Sequence, residues 1–252
     1  LRRARGHFVG ETIVIDPHRM RSYSKRLMRR FLERQGSKPA KVSQGFFCLD
    51  AETEQPICFS LGSSAITVFQ ATPGLLRLAE AILNRSSTDK ALAVADTEHY
   101  VAELLEYVQT KTPFDLLVLM PKGRAQQAEL RAIDRSAFIT RWAGFATTKR
   151  PYQMSKGRGG SLFQYVQRSG EKQGEYDFKA FLSTRDGDEV EALTRAYPKR
   201  WHGEEFFNSH QAMGWHRAGT MNLNVRYGHM SMALIAQAAV YQFRQRVGPP
   251  WS

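Results

Sequence analysis

Two apolar segments of this chain each end on an aspartate. Residues 12–15 (TIVI) are followed by Asp16, and residues 91–95 (ALAVA) are followed by Asp96. Short continuous apolar runs are typical of strands covered on both faces of a sheet. If these strands are parallel neighbours joined through a helix, both carboxylates emerge at the sheet edge where open α/β folds bind ligands. Taken singly, an acid after a strand is more often a turn former or a helix cap.

A cation site at this edge would need a third acid, because two carboxylates repel each other and Mg²⁺ prefers several oxygen ligands. The segment YPKRWHGEEFFNSHQ, residues 197–211, offers Glu204. Tyr197, Arg200, Glu204 and Gln211 follow one another at intervals of three, four and seven residues, which puts all four along one face of a helix. An Arg200–Glu204 surface ion pair is the simpler explanation of part of this pattern.

The spacing of Tyr197, Arg200 and Glu204, in the context YPKRWHGEEFF, resembles the Y-R-E signature of insertion-sequence DDE transposases. That family also has a first Asp closing the first strand, as in VIDPH, and a second in an Asp-x-Glu motif after an apolar strand, as in VADTEHY. The resemblance covers nearly all 252 residues in the family's order. It implies a ribonuclease H-like α/β fold, a mixed sheet flanked by helices, with a β-rich insertion before the helix that carries Glu204.

By this resemblance, Asp16, Asp96 and Glu204 are catalytic and hold two Mg²⁺ ions, for which Mn²⁺ can substitute. One ion activates water or a DNA 3′-hydroxyl, and the other stabilises the leaving oxygen of an in-line displacement at phosphorus. Tyr197 and Arg200 hold a DNA phosphate. The implied activity is cleavage at the ends of a mobile element followed by strand transfer into target DNA. The implied partner is double-stranded DNA, bound by a homodimer in the cytoplasm at the nucleoid.

The chain departs from the family pattern at two positions of the signature helix. The family usually has a lysine seven residues after the Glu, where this chain has Gln211, which can donate a hydrogen bond to phosphate but carries no charge. Gly203 replaces a bulky apolar residue and costs about 1 kcal/mol of helix propensity. We also expect the family's amino-terminal DNA-end recognition domain to be absent from this chain, which has the appearance of a piece of a longer protein.

The charge of the chain is strongly basic, with a formal net charge of +12 and a pI near 9.9. This predicts a polyanionic partner, nucleic acid first and an anionic membrane surface second. Residues 19–34 contain seven Arg and Lys against one acid, Glu33. Their position after Asp16 favours contacts to the DNA backbone, although a solvated helix face is an alternative. The predicted contacts of this block are Arg26, Arg29 and Arg30.

A second basic stretch, TTKRPYQMSKGRGGS at residues 147–161, is predicted either as a hairpin tip that reaches into DNA or as an ordinary flexible loop. Its predicted DNA contacts are Lys149, Arg150, Lys156 and Arg158. Its glycines are not followed by Lys and then Ser or Thr, so it is not a phosphate-binding P-loop. Trp142 nearby could stack on an unpaired base, but packing in the core is the preferred interpretation.

The remaining pattern predicts a hairpin at residues 43–63, helices opening at Thr72 and after Asp96, and a further strand at residues 114–122. A long last helix carries a stripe formed by Ala233, Ala236, Val240, Phe243 and Val247. Residues 1–121 and 187–252 are predicted to form the ribonuclease H-like core, and residues 122–186 the β-rich insertion.

Composition and spacing exclude several other classes. Two cysteines, Cys48 and Cys58, are too few for a disulfide framework and are predicted to be packed thiols. No apolar run approaches the about 20 residues that cross a bilayer, and the histidines lack the spacing of a zinc finger. Two alternatives stay open: a ribonuclease H-like nuclease that hydrolyses DNA without strand transfer, and an inactive transposase-derived protein that only binds DNA.

Overall fold

The computed structural model describes residues 1–23, 30–31, 38–154, 160–212 and 222–248. The chain forms two compact units. The first comprises Leu1–Gly10, Val14–Asn84 and Trp201–Ser252, and the second comprises Glu11–Ile13 and Arg85–Arg200.

The described residues of the first unit form four strands. They are β1 (Thr12–Arg21), whose first residues belong to the second unit, β2 (Arg30–Phe31), β3 (Ala40–Asp50) and β4 (Pro56–Ser63). Strands β3 and β4 form the predicted antiparallel hairpin, with Phe47 opposite Phe59 and Cys48 opposite Cys58. Both cysteines are buried free thiols, as predicted.

Helix α1 (Val68–Leu83) packs against β3 and β4. It begins four residues before the predicted start at Thr72, because Thr67 and Gln70 form a capping box in which each side chain bonds the other's backbone N–H. Pro73 therefore lies inside the helix. Leu75, Leu76, Ala79 and Leu83 are buried on the face that meets the sheet, whereas Ile82 is exposed.

In the part of the second unit that the structure describes, six strands follow the order β5-β6-β10-β9-β8-β7. They are β5 (Ala91–Ala95), β6 (Phe114–Leu119), β7 (Ile139–Trp142), β8 (Phe145–Tyr152), β9 (Leu162–Ser169) and β10 (Asp177–Ser183). Strands β5 and β6 are parallel and the other pairs are antiparallel, so the sheet is mixed. The start of β1 lies beside β5, where the N–H of Leu92 donates to the Glu11 carbonyl.

This arrangement confirms the predicted mixed α/β architecture with helices on a mixed sheet. Residues 122–186 contain β7 to β10 and the helix at Arg124–Arg131. Strand β10 pairs with β6 and so continues the sheet. The division into a ribonuclease H-like core and a separate insertion stays a prediction.

Three helices of the second unit pack on this sheet. They are α2 (Ala102–Lys111) on β6, α3 (Arg124–Arg131) on β10, and the short α4 (Glu189–Glu191) on β8. The first residue of α4 is Glu189. Its buried carboxylate accepts hydrogen bonds from Arg141 and, at 3.1 Å, from the Thr147 hydroxyl. The chain then continues through a π-helical turn, Ala192–Ala196, and a 3₁₀ turn, Tyr197–Arg200.

Helices α5 (Trp201–Ala212) and α6 (Leu223–Val247) belong to the first unit. The predicted stripe of α6 is exposed at Val240, Phe243 and Val247, and the buried positions are instead Arg226, Met230 and Leu234. None of the helices in the described ranges is both long and apolar enough to span a membrane, and this includes the 25-residue α6.

Candidate active site

Asp96 directly follows β5 and begins the 3₁₀ turn Thr97–His99. Its Oδ1 atom accepts hydrogen bonds from the Glu98 backbone N–H and from Nδ1 of His99, each at 3.0 Å. Asp96 therefore caps the N-terminus of the 3₁₀ turn, which is the common role of an acid after a strand. Because both bonds go to Oδ1, the second oxygen, Oδ2, can bind a cation without displacing either of them.

The surroundings of Asp96 favour its charged form. Burial by itself raises the pKa of this carboxyl, but the hydrogen bond and charge of His99, the Glu98 N–H and the positive charge of Arg200 outweigh burial, so the pKa lies below its ordinary value. The carboxylate is thus ionised at neutral pH, which is the form that binds a cation. Arg200 is near enough to Asp96 to act on it electrostatically, although 104 positions separate them in the sequence.

Tyr197 and Arg200 lie in a 3₁₀ turn that packs against β5. The ring of Tyr197 meets Phe181 of β10 edge to face, with 4.6 Å between the ring centroids and 67° between their planes. The prediction that Tyr197, Arg200, Glu204 and Gln211 share one face of a single α-helix is wrong in its geometry. The backbone changes from a π turn to a 3₁₀ turn to α-helix within this segment, so the 3.6-residue period does not apply across it.

Asp16 is the fifth residue of β1 and is 8% exposed. The strand was predicted to end there, but it continues to Arg21 because its pairing with β3 goes on beyond the apolar run. What changes at Asp16 is burial: the side chains before it are buried and those from Pro17 onward are partly or fully exposed. The aspartate therefore marks the edge of the core and not the end of the strand.

Helix α5 passes directly over Asp16. A Cβ atom at Gly203 would lie 3.6 Å from both Cβ and Oδ2 of Asp16 and 3.3 Å from Cγ1 of Val14. Any larger side chain at position 203 would meet β1. The glycine that departs from the family pattern thus lets the helix that carries Glu204 approach the strand that carries Asp16.

Two aromatic side chains anchor α5 in the first unit. Phe206 and Phe207 are buried, and Phe47 of β3 contacts both, with ring centroids 5.6 Å and 5.1 Å away. The ring of Phe207 stacks on His18 of β1 at 4.4 Å. This packing sets the position of the first turns of α5, and with it the partly buried Glu204.

Two pairs of the predicted site residues lie near each other, one pair in each unit. In the first unit, Asp16 lies against the residue that precedes Glu204. In the second unit, Asp96 lies within electrostatic reach of Arg200. That the three carboxylates form one cation site stays a prediction.

The predicted DNA contacts have several outcomes. Arg30 is exposed on β2. Lys149 pairs with Asp186 at 2.7 Å, and Arg150 pairs with Glu129 and bonds the Gln164 side chain at 2.6 Å, so both have intramolecular partners. Other predicted contacts lie outside the described residues or, for the last, have only a described backbone: Arg26, Arg29, Lys156, Arg158 and Gln211.

Sequence reasoning missed His99, which is 1% exposed and holds Asp96. The signal was available, because a histidine three residues after an acid can reach it across one helical turn. Trp142 was preferred as a core residue, and that interpretation is wrong. It is 50% exposed and stacks on Phe145 at 4.1 Å, across the turn between β7 and β8.

No family model matches this chain, and no curated protein sequence matches it. Among solved structures, piggyBac transposase, in a cryo-EM structure of its synaptic complex with hairpin DNA, is similar to this chain with a TM-score of 0.50 at 11% sequence identity. The similarity covers 96% of this chain and 55% of that chain, so the chain spans about half the length of the transposase it matches. The fold is therefore transposase-like.

Proposed function

We propose that this chain is the catalytic domain of an insertion-sequence DDE transposase of the Y-R-E group. It would cleave DNA at the ends of a mobile element and join those ends to target DNA by metal-dependent in-line phosphoryl transfer. The observation that supports this most is the approach of Gly203 to Asp16, because it sets the signature helix on the strand of the first predicted catalytic acid.

The donor set suits a hard divalent cation. Asp16, Asp96 and Glu204 offer carboxylate oxygens, which are the ligands that Mg²⁺ prefers. Asp96 is held ionised with Oδ2 available for an ion, and Asp16 lies at the boundary between core and surface. When bound at these residues, Mg²⁺ supplies the activation of an attacking hydroxyl and the neutralisation of charge on the leaving oxygen.

The 3₁₀ turn supplies the contact to the DNA phosphate in this proposal. Arg200 presents a guanidinium near Asp96, and its planar fork of N–H groups fits two phosphate oxygens. Tyr197 packs on Phe181 of β10 and the turn packs on β5, so the backbone from which Arg200 extends is fixed on the sheet. The same positive charge adds a smaller part to the lowering of the Asp96 pKa, which comes mainly from His99.

The basic surface of the first unit supports DNA as the partner. Arg30 of β2 is exposed and pairs in register with Lys41 of β3, so two basic residues lie side by side on this part of the sheet. The similar piggyBac transposase was solved with hairpin DNA. We infer that double-stranded DNA, bound by a homodimer, is the partner of this chain.

The test is a nicking assay on supercoiled plasmid DNA with Mg²⁺ or Mn²⁺, using the full chain. We expect nicking by the wild-type chain and its loss in Asp16→Asn, Asp96→Asn and Glu204→Gln. Asp134→Asn, an exposed acid of the second unit, is the matched control and should nick normally. Equal nicking by Asp96→Asn and wild type would contradict the proposal.

Strand transfer distinguishes the remaining functions. An oligonucleotide with a free 3′-hydroxyl should be joined to the plasmid by a transposase, whereas a nuclease nicks the plasmid and leaves the oligonucleotide unjoined. A protein that only binds DNA would shift the plasmid on a gel without nicking it.

A further inference from the structure

Three side chains that can bind a metal ion lie together in the first unit, and none of them is in the proposed catalytic set. They are Glu54, in the turn between β3 and β4, and His202 and Glu205 of α5. One potential ligand atom from each lies within 4.8 Å of the other two, and Nε2 of His202 is 3.8 Å from Oε1 of Glu54. A histidine with two carboxylates is a set of ligands found at zinc sites.

His202 is already oriented as a metal ligand. Its Nδ1 atom lies 2.8 Å from the carbonyl oxygen of Ala51, so Nδ1–H donates to this carbonyl and Nε2 carries the lone pair. Metal-bound histidines in proteins are held in this manner, with the second ring nitrogen donating to a carbonyl or carboxylate. The lone pair of Nε2 is on the side of the ring that lies near Glu54.

The turn that carries Glu54 is held firmly by Asp50, the last residue of β3. The buried Asp50 carboxylate accepts hydrogen bonds from Thr53 N–H at 2.9 Å and from Gly10 N–H at 2.6 Å. The Asp50 backbone N–H donates to the Gln55 carbonyl across the turn. Glu54 lies between these anchored residues with a φ of 58°. The Cα position of Glu54 is therefore fixed while its half-exposed side chain can still rotate.

Helix α5 presents this set on a different side from the one that meets Asp16. His202 and Glu205 are three residues apart and so lie on one face, whereas Gly203 faces β1. A groove of about 470 Å³ adjoins the set and is lined in part by Glu54, Glu205 and Gln55. It leaves room for a water molecule as a fourth ligand.

We propose that Glu54, His202 and Glu205 form a zinc site that links the β3–β4 turn to α5. Zinc ligands lie about 2.0–2.2 Å from the ion, which places the ligands of a tetrahedral site roughly 3.4 Å apart. The observed separations need only a small rotation of two exposed or half-exposed carboxylates. A bound ion tethers the helix that carries Glu204 to the hairpin, so it stabilises the folded first unit. This proposal does not depend on the proposed function.

The test is isothermal titration calorimetry, in which Zn²⁺ is added to the metal-free full chain in the presence of excess Mg²⁺. Mg²⁺ occupies sites made only of carboxylates and does not compete well for a site with an imidazole. We expect one equivalent of Zn²⁺ to bind and to raise the thermal unfolding midpoint. Glu205→Gln and His202→Gln should each weaken Zn²⁺ binding by about tenfold or more, as the loss of one of three protein ligands requires.

His229→Gln is the matched control, because His229 is an exposed histidine of the same unit, and it should bind Zn²⁺ like wild type. Glu205 is exposed and its replacement by Gln keeps the side-chain shape, so this variant decides the outcome even if His202→Gln fails to fold. Wild-type affinity in Glu205→Gln, or absence of Zn²⁺ binding by the wild-type chain, would overturn the proposal.

Discussion

Gly203 of α5 lies against Asp16 of β1, and a Cβ atom at position 203 would be 3.6 Å from the Asp16 carboxylate oxygen Oδ2. Gly203 is the third residue of α5, and it is placed where a larger side chain would separate that helix from the strand. The glycine lowers helix propensity, but it allows α5, which carries Glu204, to lie close to β1, which carries Asp16.

Substitution of Gly203 tests this relationship. Gly203→Ala should leave the free energy of unfolding within about 1 kcal/mol of wild type, because the gain in helix propensity is offset by the tight 3.3 Å contact to Val14. Gly203→Leu should destabilise the fold by about 1–3 kcal/mol through overpacking and should abolish plasmid nicking. Urea denaturation and the nicking assay measure both effects.

The matched control for these substitutions is Gly228→Ala in α6, where nothing lies within 4 Å of the added Cβ. It should stabilise the chain by about 1 kcal/mol. If Gly203→Ala stabilised the chain by as much as Gly228→Ala, the contact with β1 would have no energetic significance.

His99 is expected to act as a positioning residue for Asp96. Removing it leaves burial as the largest influence, so the pKa of Asp96 should rise in His99→Leu. The acid limb of the pH profile for nicking should then move to higher pH, because the carboxylate must be ionised to bind Mg²⁺. His99→Asn, which keeps a hydrogen-bond donor without the charge, should shift the limb less. The pH dependence of Mg²⁺-dependent nicking measures this.

The same pKa gives a prediction for stability. A carboxyl whose folded pKa is lowered stabilises the protein above its unfolded pKa, and this contribution is lost as pH falls through the folded pKa. The chain should therefore lose this part of its stability on acidification, and His99→Leu should lack it at neutral pH. Equal pH profiles of unfolding for wild type and His99→Leu would show that His99 does not act on Asp96.

The sequence pattern correctly predicted strands whose residues are buried along most of their length. The pattern predicted β5, β6 and the hairpin of β3 and β4. Short continuous apolar runs bounded by turn residues are typical of buried strands. The start of α1 was missed because the Thr67–Gln70 capping box decides it, and Pro73 is the more conspicuous signal. The end of β1 was missed because pairing carries a strand on after its side chains emerge from the core.

The candidate site was predictable as residue types but not as geometry. Asp16 and Asp96 could be picked out because each follows an apolar segment. Arg200 and Glu204 could be picked out by their spacing in the segment YPKRWHGEEFF. Arg200, which acts on Asp96 electrostatically, lies in a segment that changes helix type at residues 192–201. The spacing of apolar residues does not predict such a change.

The Arg141–Glu189 pair should contribute strongly to the stability of the second unit. Glu189 accepts from both Arg141 and Thr147 in a buried position, and Glu189→Ala would remove the carboxylate that pairs with the Arg141 charge and accepts from the Thr147 hydroxyl. We expect a loss of about 3 kcal/mol in the free energy of unfolding. Glu191→Ala, in the same short helix but exposed, is the control and should change stability by less than about 1 kcal/mol. Urea denaturation of the two variants measures the difference.

Arg30 of β2 is exposed beside Lys41 of β3, and a basic surface of this kind favours an anionic partner. Each phosphate contact adds about 0.9 to the slope of log K against log salt concentration for duplex DNA. Arg30→Gln should therefore weaken DNA binding uniformly across sequences and lower this slope by about one. Lys122→Gln is the control of equal charge, because Lys122 already pairs with Asp177 at 3.1 Å. Fluorescence anisotropy with duplex DNA over a series of salt concentrations gives both slopes, and an equal slope for Arg30→Gln and wild type would remove Arg30 from the DNA-binding surface.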